Sequence, residues 1–190
     1  MGTELVSLRG RLLVANPALP DANFHRTVVF MIEHNEEGTL GVVLNRPSTT
    51  SLEEALPDWG AFAAYPPVLF VGGPVEPSAA ICLASIGGEW EAGEGQPWRH
   101  IAGDVGTLDL SAGAGPLGDR VPRLRVFAGY AGWAVGQLVG ELALGAWFVV
   151  DPHPDDVLSR QPMTLWRSVL RRQGGLRAAL ANYPDDASVN

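Results

Sequence analysis

The sequence predicts an α+β fold built on a mixed β-sheet. Three observations lead there. Short apolar runs bounded by Gly, Pro and Asn turn chemistry recur along the chain and outnumber the helical patterns. Two of these runs flank a tight turn and read as a β-hairpin. Helical spacing beyond a turn or so occurs in two segments only. The chain has 190 residues, 46% of them hydrophobic and 18% charged. That describes one ordered globular domain over residues 1–190, large enough to bury a proper core.

Arg11 to Ala15 is an apolar run stopping at Asn16-Pro17, as a strand running into a turn does. Val28 to Ile32 is continuous, β-branched and aromatic, the pattern of a strand buried on both faces; it ends at Glu33-His34. Asn35-Glu36-Glu37-Gly38 supplies the turn and Thr39 to Leu44 the second strand, closed by Asn45-Arg46-Pro47. Ser51-Leu52-Glu53-Glu54 is a capping box, so a short helix starts near Ser51. Val68 to Val71 is a buried strand leading to Gly72-Gly73-Pro74, read as a tight turn, and Ala79 to Ile86 is another strand. Gly87 to Gly118 is rich in Gly and polar residues, with short strands at Ile101 and Thr107-Leu108. Arg125 to Ala128 is a strand, Trp133 to Leu144 a helix with Gly136 and Gly140 on one face, and Ala146 to Val150 a strand. A helix over Thr164 to Arg172 ends at Gly174-Gly175, and Leu176 to Ala181 reads as a final strand.

Composition removes several kinds of function. Net charge is −8, and an acidic field repels nucleic acid and anionic membrane. All thirteen basic residues are Arg, which removes a Schiff-base amine and a P-loop lysine. The single Cys82 lies in an apolar run and reads as core. The most apolar region, Val126 to Val150, is broken by Gln137 and Glu141, so no membrane span is expected. The N-terminus lacks a basic region followed by a long apolar stretch, so a cytoplasmic location is expected.

Few motifs carry chemistry. Gly113 to Gly118 matches G-x-G-x-x-G, but without the strand before it and helix after it that aim a helix N-terminus at a pyrophosphate. Asp151-Pro152-His153-Pro154-Asp155-Asp156 holds metal-ligand types. It reads better as a helix start with Pro154 first and the two aspartates in the first turn. No metal or cofactor is expected. Glu33-His34 is either a carboxylate beside a general base or two strand neighbours on opposite faces, and the period of a strand favours the second. Asp21 is a further acid–base candidate. Asn16, Asp21, Asn23, Arg26 and Thr27 cluster in the loop before Val28, and Arg46 joins Arg26 as a bidentate anion binder or an ordinary ion-pairing residue.

The glycine-studded block Gly129 to Leu142 is the most distinctive segment. Glycine costs about 1 kcal/mol against alanine inside a helix, so four in this run need a reason. Either backbone approaches a ligand there, with Tyr130, Trp133 and Gln137 lining its pocket, or Gly136 and Gly140 let a helix pack closely and Trp133 is core. Leu138, Leu142 and Val135 form the partly buried face of that helix.

Taken together, Gly10 to Pro17, Asn16 to Thr27, Glu33-His34-Asn35, Gly41 to Pro47, Phe70 to Val75, Gly129 to Trp133 and Trp147 resemble the YqgE/AlgH family of bacterial proteins. The resemblance covers nearly the whole chain. It implies an α+β fold whose bifurcated sheet is wrapped into a pseudo-barrel, and it implies no settled reaction. Some similar proteins carry the label of transcriptional regulator, but the most basic segment here, Arg167 to Arg177, lies on an acidic chain and does not look like a recognition helix. The stretches after Val150 and at Arg171 to Gly175 depart from many relatives. The leading expectation is a non-catalytic regulator or adaptor. It binds a small molecule or protein partner in one cleft between the Asn16–Thr27 loop and Tyr130–Gln137. The rival is a hydrolase or isomerase using Glu33 or His34.

Overall fold

A computed structural model describes residues 6–87, 95–115, 120–121 and 123–184. Among them the chain forms β1 (Leu12–Ala15), β2 (Val28–Asn35), β3 (Gly38–Val43), β4 (Pro47–Ser51), α1 (Leu52–Ala55), β5 (Val68–Val71), β6 (Val75–Ser85), β7 (Trp98–Ala102), β8 (Val105–Leu108), β9 (Arg123–Trp133), α2 (Gln137–Ala143), β10 (Trp147–Val150), α3 (Leu165–Arg171) and α4 (Gly175–Leu180). The strands make one curled, mostly antiparallel half-barrel in the order β10-β1-β2-β3-β9-β6-β8-β7. β5 joins it parallel to β9 and carries β4 on its far side. The sheet therefore forks at β9. One edge of that strand pairs with β6; the other pairs with β5 at Phe127-Ala128 and with β3 at Ala131 to Trp133.

Alternation along the strands builds the core on both sides of the sheet. Leu12, Val14, Val28, Phe30 and Val42 face inward onto Leu165, Trp166, Val169 and Leu170 of α3, which plugs the half-barrel. Leu13, Ala15, Val29, Met31 and Val43 face the opposite way, onto Trp133, Leu138 and Trp147. Two-sided burial is why β1 and β2 read as unbroken apolar runs. A third cluster, with Cys82, Trp98, Leu124 and Val126, is covered by Leu52 of α1 and by Trp59.

The fork depends on backbone lying against backbone. A Cβ on Gly72 would sit 2.2 Å from the Gly129 carbonyl oxygen, and one on Gly73 would sit 2.2 Å from Tyr130 backbone. Gly129 itself has φ +70° and its Cβ position is 2.6 Å from the Gly73 oxygen. Gly72-Gly73 is thus a close crossing rather than the expected tight turn.

Other expectations also need correction. The strand at Arg125 runs on through the glycine block to Trp133, because Ala131 and Trp133 are buried and Gly129 lets its backbone lie against that of Gly73. The helix starts only at Gln137, with Gly136 as its N-cap at φ +78°. Gly136 and Gly140 then face open space, not the sheet, and Val135 is exposed. Leu176 to Leu180 lies in helix α4, with Ala181 as its C-cap, as the helix preference of an Ala- and Leu-rich segment favours. Ser51 precedes α1 as expected but makes no side-chain cap hydrogen bond, being the last residue of strand β4. Asp155 and Asp156 lie in turns, not a helix; the Asp156 carboxylate accepts from the His153 N–H at 2.7 Å and is paired bidentately with Arg172. Pro116 to Gly118 of the G-x-G-x-x-G pattern lie outside the described residues.

These placements give opposite expectations for two glycines. Gly140→Ala adds a methyl group in open space inside α2, so urea denaturation should show a gain of about 0.5–1 kcal/mol. Gly73→Ala drives a Cβ into the Tyr130 backbone and should cost about 3 kcal/mol or more in the same assay.

Candidate functional site

The loop from Asn16 to Thr27 commits its polar groups to backbone. Asn16 donates through Nδ2 to the Gly145 carbonyl at 3.0 Å and accepts the Ala18 N–H at 3.0 Å. Asp21 accepts the Asn23 N–H at 2.8 Å, an Asx-turn. The Thr27 hydroxyl, fully buried, donates to the Phe24 carbonyl at 2.8 Å. Arg46 donates to the His25 and Asn23 carbonyls at 3.1 and 3.5 Å. Arg26, at φ +54°, donates to the carbonyls of Tyr183 and Pro184, and its guanidinium lies 5.0 Å from the Trp166 ring centre. Asn45, absent from the expected set, clamps the loop's exit by accepting the Val28 N–H and donating to the Arg26 carbonyl. The Asn45-Arg46-Pro47 signal marked this position; its role was not readable before the partner strands were placed.

The loop and the glycine block do meet, through an aromatic cluster that fills the space between them. Phe24 stacks on Trp133 at 6.0 Å and sets its edge against Trp147 at 5.4 Å. Trp133 is 5% exposed. Glu141, which the sequence flagged only as a break in an apolar run, accepts both indole N–H groups, from Trp133 at 2.9 Å and Trp147 at 2.8 Å. Gln137 braces the cluster, donating to Glu141 at 3.0 Å and accepting the Ala134 N–H at 3.1 Å. At this junction Trp133 is core, and the space expected to be an open cleft is occupied by Phe24.

Glu33 and His34 part company. A bulge at Ile32, between Met31 and Glu33, resets which face the next side chains take. His34 accepts the Leu8 N–H at Nδ1, 2.9 Å away, and so ties the N-terminal segment to β2. It lines a pocket of about 220 Å³ against the start of α2. Glu33 faces elsewhere. With its cross-strand partner Leu40 it walls two adjoining grooves. One, about 380 Å³, runs past Tyr130, Gly132 and Val75. The other, about 370 Å³, runs across Ile81 to Arg99 and Asp109. The Ser111 hydroxyl and N–H hold the Asp109 carboxyl below the usual carboxylate range. The two grooves share Glu33 and Leu40 in their walls and together make a trough beside the fork, with Glu33 and Tyr130 on one wall and Asp21 outside it. Among the described residues no cluster of three or more His, Cys, Asp or Glu is placed to hold a metal.

The profile of the AlgH-like family (DUF179) matches residues 12–178. The chain belongs to this family. It is 52% identical over 190 residues to a UPF0301 protein of Streptomyces coelicolor, covering 99% of this chain and 98% of that one. It is 46% identical to a UPF0301 protein of Mycobacterium leprae, covering 95% and 90%. The crystal structure of a Corynebacterium diphtheriae protein superposes with a TM-score of 0.86 at 30% identity, over 92% of each chain. The solution structure of AlgH from Pseudomonas aeruginosa does so with a TM-score of 0.67 at 27% identity, over 98% of this chain and all of that one. The α+β architecture is therefore that of the AlgH-like family. Among the described residues no helix is long and apolar enough to cross a membrane.

Two expectations test this local chemistry. Glu141→Ala leaves two buried indole donors without their acceptor and should cost about 2–4 kcal/mol in chemical denaturation, while Glu141→Gln keeps the accepting oxygen and should cost much less. Burial pushes the Cys82 thiol well above its ordinary range. Ellman's reagent should therefore react with it only at the rate of unfolding.

Proposed function

We propose that this AlgH-like protein is a non-catalytic cytoplasmic adaptor or regulator that holds an extended segment of a protein partner in the trough beside the fork. The observation that carries the reading is the pair of open grooves that meet at Glu33 and Leu40, with Tyr130 on the wall of one. Its length and open top suit a chain segment better than a small molecule, which a deep and mostly apolar pocket encloses. The Asn16–Thr27 loop supports the site indirectly, since its polar groups already hold turns, the α2–β10 connection and the C-terminal segment.

The hydrolase or isomerase reading finds less support. An acid–base pair must reach one reacting atom at hydrogen-bond distance, whereas Glu33 lines the grooves beside Leu40 and His34, its Nδ1 already accepting the Leu8 N–H, lines the pocket beside α2. The acidic chain, with net charge −8, favours a protein over nucleic acid as partner.

The test combines native mass spectrometry of gently purified protein with affinity capture. A bare chain mass, together with a partner captured by wild type and by His25→Ala but lost on Leu40→Asp and Tyr130→Ala, is the expected result. A tightly held small molecule, or capture indifferent to Leu40→Asp and Tyr130→Ala in folded protein, would overturn the reading.

A further inference from the structure

A second groove, of about 350 Å³, lies between the start of β9 and the loop leading into α3, at the other end of β9 from Tyr130. Arg123, Asp155, Ser159, Arg160, Thr164 and Ser168 are among the residues that line it. Its charges are poorly balanced. Arg123 and Arg160 have no carboxylate within ion-pair distance among the described residues, although Arg160 lies 5.5 Å from the ring centre of Tyr65. Arg125, two residues along β9 from Arg123, is buried just behind the wall. It donates to the carbonyls of Tyr65, Val157 and Ser159, with no carboxylate beside it. Burial, and then the nearby Arg123 charge, push the Arg125 guanidinium down to about 10, so it stays cationic at neutral pH. Asp156 also reaches the groove, but its carboxylate is spent on Arg172. Three guanidinium groups thus face or back the groove, and Asp155 is the one carboxylate on its wall not held by an arginine. In a chain of net charge −8, a local positive excess among hydroxyl side chains is an anion's binding chemistry.

We infer that this groove binds an anionic group, a carboxylate or a phosphate, held by Arg123 and Arg160. The hydroxyls of Ser159 and Ser168 supply neutral donors, and the planar guanidinium forks match either anion. Asp155 opposes the charge of the bound group. It sets an upper limit on affinity and selects for a ligand that keeps its anionic end on the Arg123 side.

The test uses the full chain and two probes, inorganic phosphate and glutarate, titrated separately at constant ionic strength. Binding is read from backbone amide shifts. Expected are saturable shifts confined to residues 159–168 and the start of β9, with a dissociation constant in the millimolar range or tighter. Arg160→Gln, on an exposed side chain, should weaken binding roughly fivefold or more, while Asp155→Asn should tighten it about two- to threefold. Arg123→Gln repeats the loss where it folds. Arg171→Gln, an equal charge change on the exposed end of α3, should leave binding as it is. Preference for phosphate assigns a phosphate-bearing ligand, and preference for glutarate a carboxylate. Shifts that fail to saturate with either probe, or that are the same in Arg160→Gln as in wild type, would overturn the inference.

Discussion

The approach of Gly72-Gly73 to Gly129 is the constraint on which the rest of the architecture depends. β9 offers one edge to two different strands, β5 and then β3. For the edge to change hands, the chain leaving β5 must cross β9 in van der Waals contact with its backbone. The Gly72 N–H still donates to Ala128, and the Gly72 carbonyl accepts from Val43 of β3, so the crossing point is itself stitched into both branches. Any side chain there would wedge the branches apart and cost hydrogen bonds on both sides. The trough beside Glu33 and Leu40 is a consequence of the same divergence, since a continuous flat sheet would have no such space.

Arg125 is the second device that β9 supplies. A fully buried guanidinium without a carboxylate is expensive in isolation. Here three loop carbonyls and the face of Phe70, 4.1 Å away, replace its water. Those carbonyls belong to two separate connections, around Tyr65 and around Val157 to Ser159. One side chain thereby fastens two loops that have little regular structure of their own to the central strand. The contacts also serve the carbonyls, since a buried carbonyl without a donor is costly.

What was legible in the sequence follows from range. The β2–β3 hairpin, β1, β5 and β10 declare themselves through local apolar runs and turn residues, and the family resemblance supplied the forked sheet. The glycine block misled because glycine has one local meaning, a weak helix former and turn signal, and a non-local one, room for another backbone. Gly129 acts in the second sense and Gly136 in the first, inside one eight-residue stretch. Leu176 to Ala181 misled for a different reason. Six residues after a double glycine carry too little periodicity to tell a final strand from a last helical turn. Glu33 and Tyr130 were picked out separately, from opposite ends of the chain, and only the pairing of β3 with both β2 and β9 puts them on one trough.

The Asn16–Thr27 loop explains why polar loop residues are ambiguous evidence of a ligand. A loop that enters a strand buried on both faces must satisfy its own carbonyls and N–H groups before the ladder takes over. Asn, Asp and Thr do that by turning back on the backbone, and Arg46 does it from the neighbouring strand. The chemistry that would recognise a ligand is the same chemistry that closes a turn, and the pattern alone does not separate them. Partnering does. Side chains whose donors already meet loop carbonyls are structural, whereas among the described residues Arg123 and Arg160 have no carboxylate to meet, and Glu33 and Tyr130 line a groove. These two unspent groups lie at opposite ends of β9. The seven residue steps from Arg123 to Tyr130 span about 23 Å, too far for one small ligand to touch both.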